Sequence, residues 1–230
     1  MAVSVLLISY NGEKYIQRQI ETIICQLHNE DELIVSDDGS VDKTIFIVKQ
    51  LQNKYQNIKL VYGKHEGFSA NINNAYMHAK GDIICFCDQD NIWKSNKIDV
   101  IKTTFEKNPT TDVILHDAQV CDKDEKILPD TLFFIRKARH GVVSNWIKST
   151  YYGCCMCFRN SFLKRYMPLP KKVILYDQYL GLKAEYKKKS LFLNMPLIVY
   201  RRHGNNFSNK RGWGEKILFR MTLLLQTLLN

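Results

Sequence analysis

The chain is 230 residues long, enough for one full α/β domain with a sizeable core and not obviously for two. Its 45% hydrophobic and 24% charged residues are ordinary for a soluble globular protein, and a formal net charge of +10 suits anionic partners: nucleotide diphosphates, acidic membrane surfaces or nucleic acid. Seven cysteines, an odd number, argue against a disulfide framework; with Cys85, Cys87, Cys154, Cys155 and Cys157 in apolar runs they read as reduced thiols of a cytosolic protein, and the Cys154 group lacks the second Cys/His pair that a zinc site needs.

The first half alternates strands and helices. Residues 3–8 form a near-continuous apolar run, the mark of a strand covered on both faces, with no basic segment or cleavage site of a signal peptide before it. Ile16, Ile20, Ile23 and Leu27 then fall on one helical stripe. A second strand, 33–35, ends in Ser36-Asp37-Asp38-Gly39-Ser40, where Ser40 is placed to cap a helix carrying Ile45, Val48 and Leu51. Residues 58–62 read as a third strand, 70–79 as a helix stopped by Gly81, and 82–87 as a fourth strand. This rhythm predicts a mainly parallel, Rossmann-like sheet flanked by helices, with ligands beyond the carboxyl ends of its strands. After Asp112 the rhythm changes: 113–115 is a strand, 153–158 an apolar segment, 176–186 a helix and 197–200 a last short strand. In the tail, Ile217, Met221, Leu224 and Leu228 share a helical stripe with Lys210, Arg211, Lys216 and Arg220 around its start. Too short to span a bilayer, it suits an interfacial helix on anionic lipid or, equally, a helix packed on its own domain or on the partner of a homodimer.

Asp88-Gln89-Asp90 closes the fourth strand. Alternation lets Asp88 and Asp90 point one way and Gln89 the other, and two converging carboxylates call for a cation. Hard divalent ions such as Mg²⁺ and Mn²⁺ prefer oxygen ligands shared with substrate phosphates. The clusters 9–11, Asp37-Asp38 and Asp88–Asp90 all fall at strand ends, which makes that edge the candidate site.

Ser9-Tyr10-Asn11-Gly12-Glu13, Ser36-Asp37-Asp38-Gly39-Ser40-Val41-Asp42, Asp88-Gln89-Asp90-Asn91-Ile92-Trp93 and Tyr200-Arg201-Arg202-His203-Gly204-Asn205-Asn206 come in this order. Together they resemble the bacterial family 2 glycosyltransferases of the GT-A fold, closest to the surface-polysaccharide branch with rhamnosyl- and galactosyltransferases. The resemblance implies one domain over 1–212, with a nucleotide-sugar half (1–112), a smaller acceptor half (113–212) and the amphipathic tail 213–230. It implies an inverting transfer from a UDP- or dTDP-sugar to a saccharide hydroxyl, on a lipid-linked or oligosaccharide acceptor, at the inner face of the plasma membrane, with Mn²⁺ or Mg²⁺ as cofactor.

Residue by residue, the resemblance assigns the nucleotide sugar to Ser9, Tyr10, Asn11, Glu13, Asp37, Asp38, Gly67, Asn71, Asp88, Gln89 and Arg202. Asp37-Asp38 suits base and ribose hydroxyls, and equally a helix-capping turn. Asp90 and Asp88, with His203, match the metal position; His203 also suits a hydrogen-bonded surface histidine. Asn91 stands where the family commonly has a further Asp, and Ala70 and Ile72 where it usually carries a basic residue. Gly153 falls on the acceptor side, as does Trp93, whose first reading is to pack under the loop. Asp177 matches the base, although the same position suits a helix cap, where the helix dipole would favour the ionised form. A basic binding protein without catalysis and a nucleotidyltransferase are the alternatives. The cations are not interleaved with aromatics as a nucleic-acid platform requires, so no nucleic acid is expected, and no glycine-rich basic loop follows the first strand.

Overall fold

The computed structural model describes residues 1–122, 124–170, 173, 175–202 and 223. The chain begins as expected: β1 (Val3–Ser9), α1 (Ile16–Ile24), β2 (Glu32–Asp37), α2 (Thr44–Lys54), β3 (Ile58–Tyr62), α3 (Phe68–Tyr76) and β4 (Ile83–Asp88). All seven residues of β1 are buried, which is why its sequence is a continuous apolar run instead of an alternating one. β2 lies parallel to β1 on one side and β4 parallel on the other, and β3 adds parallel to β2. Helix α3 packs against β1 and β2.

The second half departs from this pattern. After β5 (Ile92–Trp93) and α4 (Lys97–Lys107) come β6 (Val113–Cys121), β7 (Ile127–Thr131), and the short helices α5 (Leu132–Arg136) and α6 (Val142–Ile147). A 3-10 turn at Gly153–Cys155 leads to β8 (Met156–Arg159), α7 (Asn160–Leu163), α8 (Tyr176–Tyr186) and β9 (Ser190–Arg201). The sheet has nine strands, with β3-β2-β1-β4-β8-β6-β9-β5 in line and β7 paired to β6. β8 runs antiparallel to both β4 and β6, so it joins the parallel first half to a mixed half in one sheet. The core crosses this join, with the Phe86 and Phe158 rings 4.9 Å apart.

Several boundaries differ from the sequence reading. Ser40 caps no helix: its hydroxyl donates to Asp37, while Asp42 accepts the Thr44 N–H at 2.9 Å just before α2. Helix α3 ends at Tyr76, and Gly81 instead lies where a Cβ would come within 2.6 Å of the Ser4 nitrogen, so it permits the chain to pass close to β1. β6 and β9 are much longer than expected because they pair with each other along their length. Helix α4, with Ile98, Ile101 and Phe105 buried, and the helices α5 to α7 went unanticipated. The amphipathic tail lies outside the described residues apart from Leu223. Among the described residues no helix is long and apolar enough to cross a membrane.

Candidate active site

Strand register assembles the site. Ser9 of β1 is level with Asp37 of β2, and Ile8 with Asp88 of β4, so the three polar clusters sit side by side at one edge of the sheet.

On the β1–β2 side the polar groups serve one another. The Asp37 carboxylate is buried and accepts from the Ser9 hydroxyl at 2.8 Å, the Gly39 and Ser40 N–H groups at 3.1 and 2.7 Å, and the Ser40 hydroxyl at 2.6 Å. Asn11, at φ 48°, accepts the Val41 N–H, and Glu13 accepts the Lys43 N–H, zipping the two loops together. The Gln89 amide pairs with the Tyr10 backbone in both directions, at 2.9 and 3.1 Å. A Cβ at Gly12 would meet Gln89 Oε1 at 2.2 Å, so a side chain there would push the Gln89 amide off the Tyr10 backbone. Asn71 of α3 donates to the Ser36 carbonyl at 2.8 Å, tying that helix to the strand end. Ser9, Asn11, Glu13, Asp37, Asn71 and Gln89 thus have side-chain groups engaged within the protein.

Asp38 differs. Its Oδ2 accepts the Gly67 N–H at 2.9 Å, at a glycine with φ 91°, but its buried Oδ1 has no hydrogen-bond partner. Beside it the exposed Tyr10 ring lies 5.4 Å from the His65 ring, and His65 Nδ1–H donates to the Asp38 carbonyl at 2.6 Å. An orphaned carboxylate oxygen next to an exposed aromatic is a place for a flat donor-bearing ring.

The second cluster is acidic. Burial first, then the charges of Asp90 and Asp177, push the half-buried Asp88 carboxyl from 3.8 up to about 7, against the Cys154 thiol and the Lys97 ammonium, which favour its charge. Asp177 lies in the first turn of α8, where its Oδ1 accepts the Gln178 N–H at 2.8 Å. Burial outweighs this N–H, a further one from Gly153 and the Arg136 charge, and raises Asp177 to about 6. Three carboxylates, from β4, the following turn and α8, therefore form one acidic cluster at this edge. Around it lie Tyr176, packed between Phe68 at 5.5 Å and Phe86 at 5.3 Å, and Tyr200, whose hydroxyl burial and the Cys154, Asp88 and Asp90 charges push up.

Beneath this cluster lie two buried cations, of which the sequence reading missed Lys97. Lys97 is fully buried, with Nζ 3.3 Å from the Cys154 carbonyl and 3.8 Å from the Trp93 ring centroid. Its signal was available: Lys97 shares the buried stripe of α4 with Ile98, Ile101 and Phe105. Arg201, also buried, donates to the Asp90 carbonyl at 3.2 Å and to Glu125 at 2.9 Å, while Arg202 is exposed. Trp93 is 3% exposed, with the Lys97 ammonium over its ring, a placement consistent with packing under the loop. The close approach at Gly153 is made by Tyr176, whose hydroxyl stands 1.5 Å from where a Cβ would be. Asn91 is buried with neither side-chain polar atom partnered. His203 lies outside the described residues.

Two other features resemble sites. His28, Glu30 and Asp31 could share a metal, but Lys102 Nζ already lies within 3.3 Å of all three and fills that place. A depression of about 830 Å³ opens at the opposite, amino-terminal edge of the sheet, lined by Glu32, Lys59 and Gly81 among others. Its carboxylates are already matched, Glu30 and Asp31 by Lys102 and Glu32 by the Ser4 hydroxyl and the Lys80 N–H, and in open α/β sheets ligands bind at the carboxyl edge.

Residues 4–167 match the family model described as Glycosyl transferase family 2. An uncharacterized glycosyltransferase of Nostoc is 27% identical over 223 residues, covering 90% of this chain and 66% of that protein. The dTDP-rhamnosyl transferase RfbG of Shigella flexneri is 25% identical over 221 residues, covering 86% and 72%. Among solved structures, S. aureus TarS in complex with UDP superposes with a TM-score of 0.75 at 21% identity, over 100% of this chain and 66% of that one. The mannosyltransferase PcManGT of Pyrobaculum calidifontis, in complex with GDP-Man and Mn²⁺, gives 0.65 at 19%, over 98% and 62%. The chain thus spans about two thirds of the length of these proteins. The structural likenesses show a GT-A type fold, and the family match extends over most of the chain: it belongs to glycosyl transferase family 2.

Proposed function

We propose that the protein transfers a sugar, with inversion, from a nucleotide-diphosphate donor of the UDP or dTDP class to a hydroxyl of a saccharide acceptor in surface-polysaccharide synthesis. The observation that carries this reading is the convergence of Asp88, Asp90 and Asp177 at the sheet edge beside the unpaired oxygen of Asp38. Family membership supports it, as do the relatives' names: a dTDP-rhamnosyl transferase, and structures holding UDP or GDP-Man.

In this reading Asp38 accepts from the base, and the Asp37 network holds the loop in which Asp38 sits. Asp88 and Asp90, with His203, would hold Mn²⁺ or Mg²⁺. The fit rests on the donor set: two acidic oxygen ligands two residues apart, one pushed toward protonation by burial and by the other's charge, form a site that a hard divalent ion stabilises. Such an ion, when bound, neutralises charge on the departing diphosphate. Asp177 takes the acceptor hydroxyl's proton as that oxygen bonds to the anomeric carbon and the bond to the diphosphate breaks. With its carboxyl near 6 it is mostly ionised at neutral pH and basic enough to accept a proton. Arg136, whose charge favours ionised Asp177, lies over the Tyr152 ring at 4.8 Å on the acceptor side. The acceptor is read as lipid-linked and the site of action as the inner membrane face.

The test is release of nucleoside diphosphate from UDP-, dTDP- and GDP-sugars in the presence of saccharide acceptors. Asp177→Asn should keep donor affinity while lowering transfer by about 10²-fold or more, the usual weight of a general base. Parallel loss of donor binding would make Asp177 a structural residue and remove the base from this scheme.

A further inference from the structure

The excursion between β7 and the 3-10 turn, residues 131–149, presents an unusual outer surface. Its inner side is firmly held. Leu132 is buried, and the Phe133 and His140 rings lie 6.0 and 3.9 Å from Phe192 of β9. Asn145 donates to the Arg139 and Gly141 carbonyls and accepts the Thr150 N–H, while Glu185 accepts from Gly141 and pairs with His140. A segment so anchored has no structural need for apolar groups on its outside. Yet Phe134 is 70% and Val143 68% exposed, with Ile135 beside them at 39%.

The formal charge carried by the segment itself is of one sign. Arg136, Lys137, Arg139 and Lys148 lie in the same segment, and from Thr131 to Tyr176 the chain has nine Lys and Arg residues and no Asp or Glu. Among the described residues Lys137 and Lys148 are exposed and enter no ion pair. Exposed large apolar side chains within a purely cationic segment fit one environment best, the headgroup region of an anionic bilayer, where the rings and branched chains leave water and the cations meet lipid phosphates. A soluble polyanion would match the charge and leave Phe134 and Val143 in water.

We propose that the α5–α6 excursion, through Phe134, Val143, Lys137 and Lys148, is a docking surface for anionic lipid membranes. Arg136 connects it to the acidic cleft, since it belongs to α5 and its charge acts on Asp177. Resting on the transferase reading, docking here sets the acceptor side of the cleft against the membrane, where a lipid-linked saccharide is anchored.

The test is co-sedimentation of the full chain with phosphatidylcholine vesicles, with and without phosphatidylglycerol, in the absence of donor and acceptor, so that it is independent of any transferase activity. The parent should bind only the anionic vesicles, less tightly as salt rises. Lys137→Gln with Lys148→Gln should weaken partitioning about thirtyfold, the weight of two cations at an anionic surface. Phe134→Ser with Val143→Ser should abolish the part of the binding that survives high salt, with melting temperature and donor titration unchanged in both variants. Binding of both double variants at parental strength would overturn the proposal, as would no binding by the parent. Equal binding to soluble polyphosphate, insensitive to the apolar substitutions, would assign the surface to a soluble acidic partner and overturn it too.

Discussion

Two groups of aspartates stand along one sheet edge, and they are treated in opposite ways. Asp37 receives four donors from its own and the neighbouring loop, which satisfy its carboxylate where it lies buried. Burial pushes Asp88 and Asp177 up, to about 7 and about 6, and at Asp88 the charges of Asp90 and Asp177 add to it. The first arrangement is complete in itself and builds a loop. The second is strained by its own charges and is relieved by something that arrives. Sequence type does not separate these cases; the count of donors does.

The largest separation of the two should come from substitution at the strained cluster. Asp88→Asn is expected to lower transfer by about 10²–10³-fold, the range for losing one electrostatic contact of a transition state. It should do so without loss of fold, because a neutral amide relieves the repulsion. Asp37→Ala should act the other way round. Removing the acceptor leaves the Ser9 and Ser40 hydroxyls and two N–H groups unmatched in a buried turn, at a cost of about 3 kcal/mol in denaturant unfolding. An Asp37→Ala protein as stable as the parent would erase the distinction.

Gly153→Ala is expected to cost about 2 kcal/mol by forcing Tyr176 from its place between Phe68 and Phe86. Because Tyr176 directly precedes Asp177, transfer should fall further than stability alone explains, whereas Tyr176→Phe in the same background should recover part of the fold.

A smaller effect is the pH dependence of stability without divalent ions. For a carboxyl raised in the folded state, the folded form binds the proton more tightly than the unfolded one. Stability is then full below the unfolded value of 3.8 and is lost as pH rises toward about 6 and about 7. The melting temperature should therefore fall by a few degrees across that window, and Asp88→Asn should flatten the fall. A melting temperature that rises across the window, or a fall unchanged in Asp88→Asn, would contradict the strained-cluster account.

Much of this was legible in the sequence where one physical rule governs a residue. β1 to β4 follow from largely apolar runs, and the nearness of Asp88 and Asp90 from their spacing at a buried strand end, although Asp90 lies in the turn after β4 and not on the strand. Asp177 came from the resemblance, and the structure places it in the first turn of α8, where its charge acts on Asp88. Other features depend on pairings that local pattern does not carry. The four-residue β8 inserts antiparallel between β4 and β6, and α5 to α7 span only one or two turns, too few for a helical period to show. Of two adjacent arginines, Arg201 turns inward and Arg202 outward, a choice set by the phase of β9 against β6. Lys97 was readable in principle, since a lysine on an otherwise apolar helical stripe is either exposed at its margin or buried with a purpose.

The most direct measurement is calorimetric titration of UDP-, dTDP- and GDP-sugars into the parent and Asp90→Ala, each with and without Mn²⁺. The account predicts binding of one nucleotide class that requires Mn²⁺ in the parent and is absent in Asp90→Ala, with both proteins equally folded. Equal binding with and without the ion, or full Mn²⁺-dependent binding in Asp90→Ala, would contradict the placement of the metal and the diphosphate at this acidic cleft.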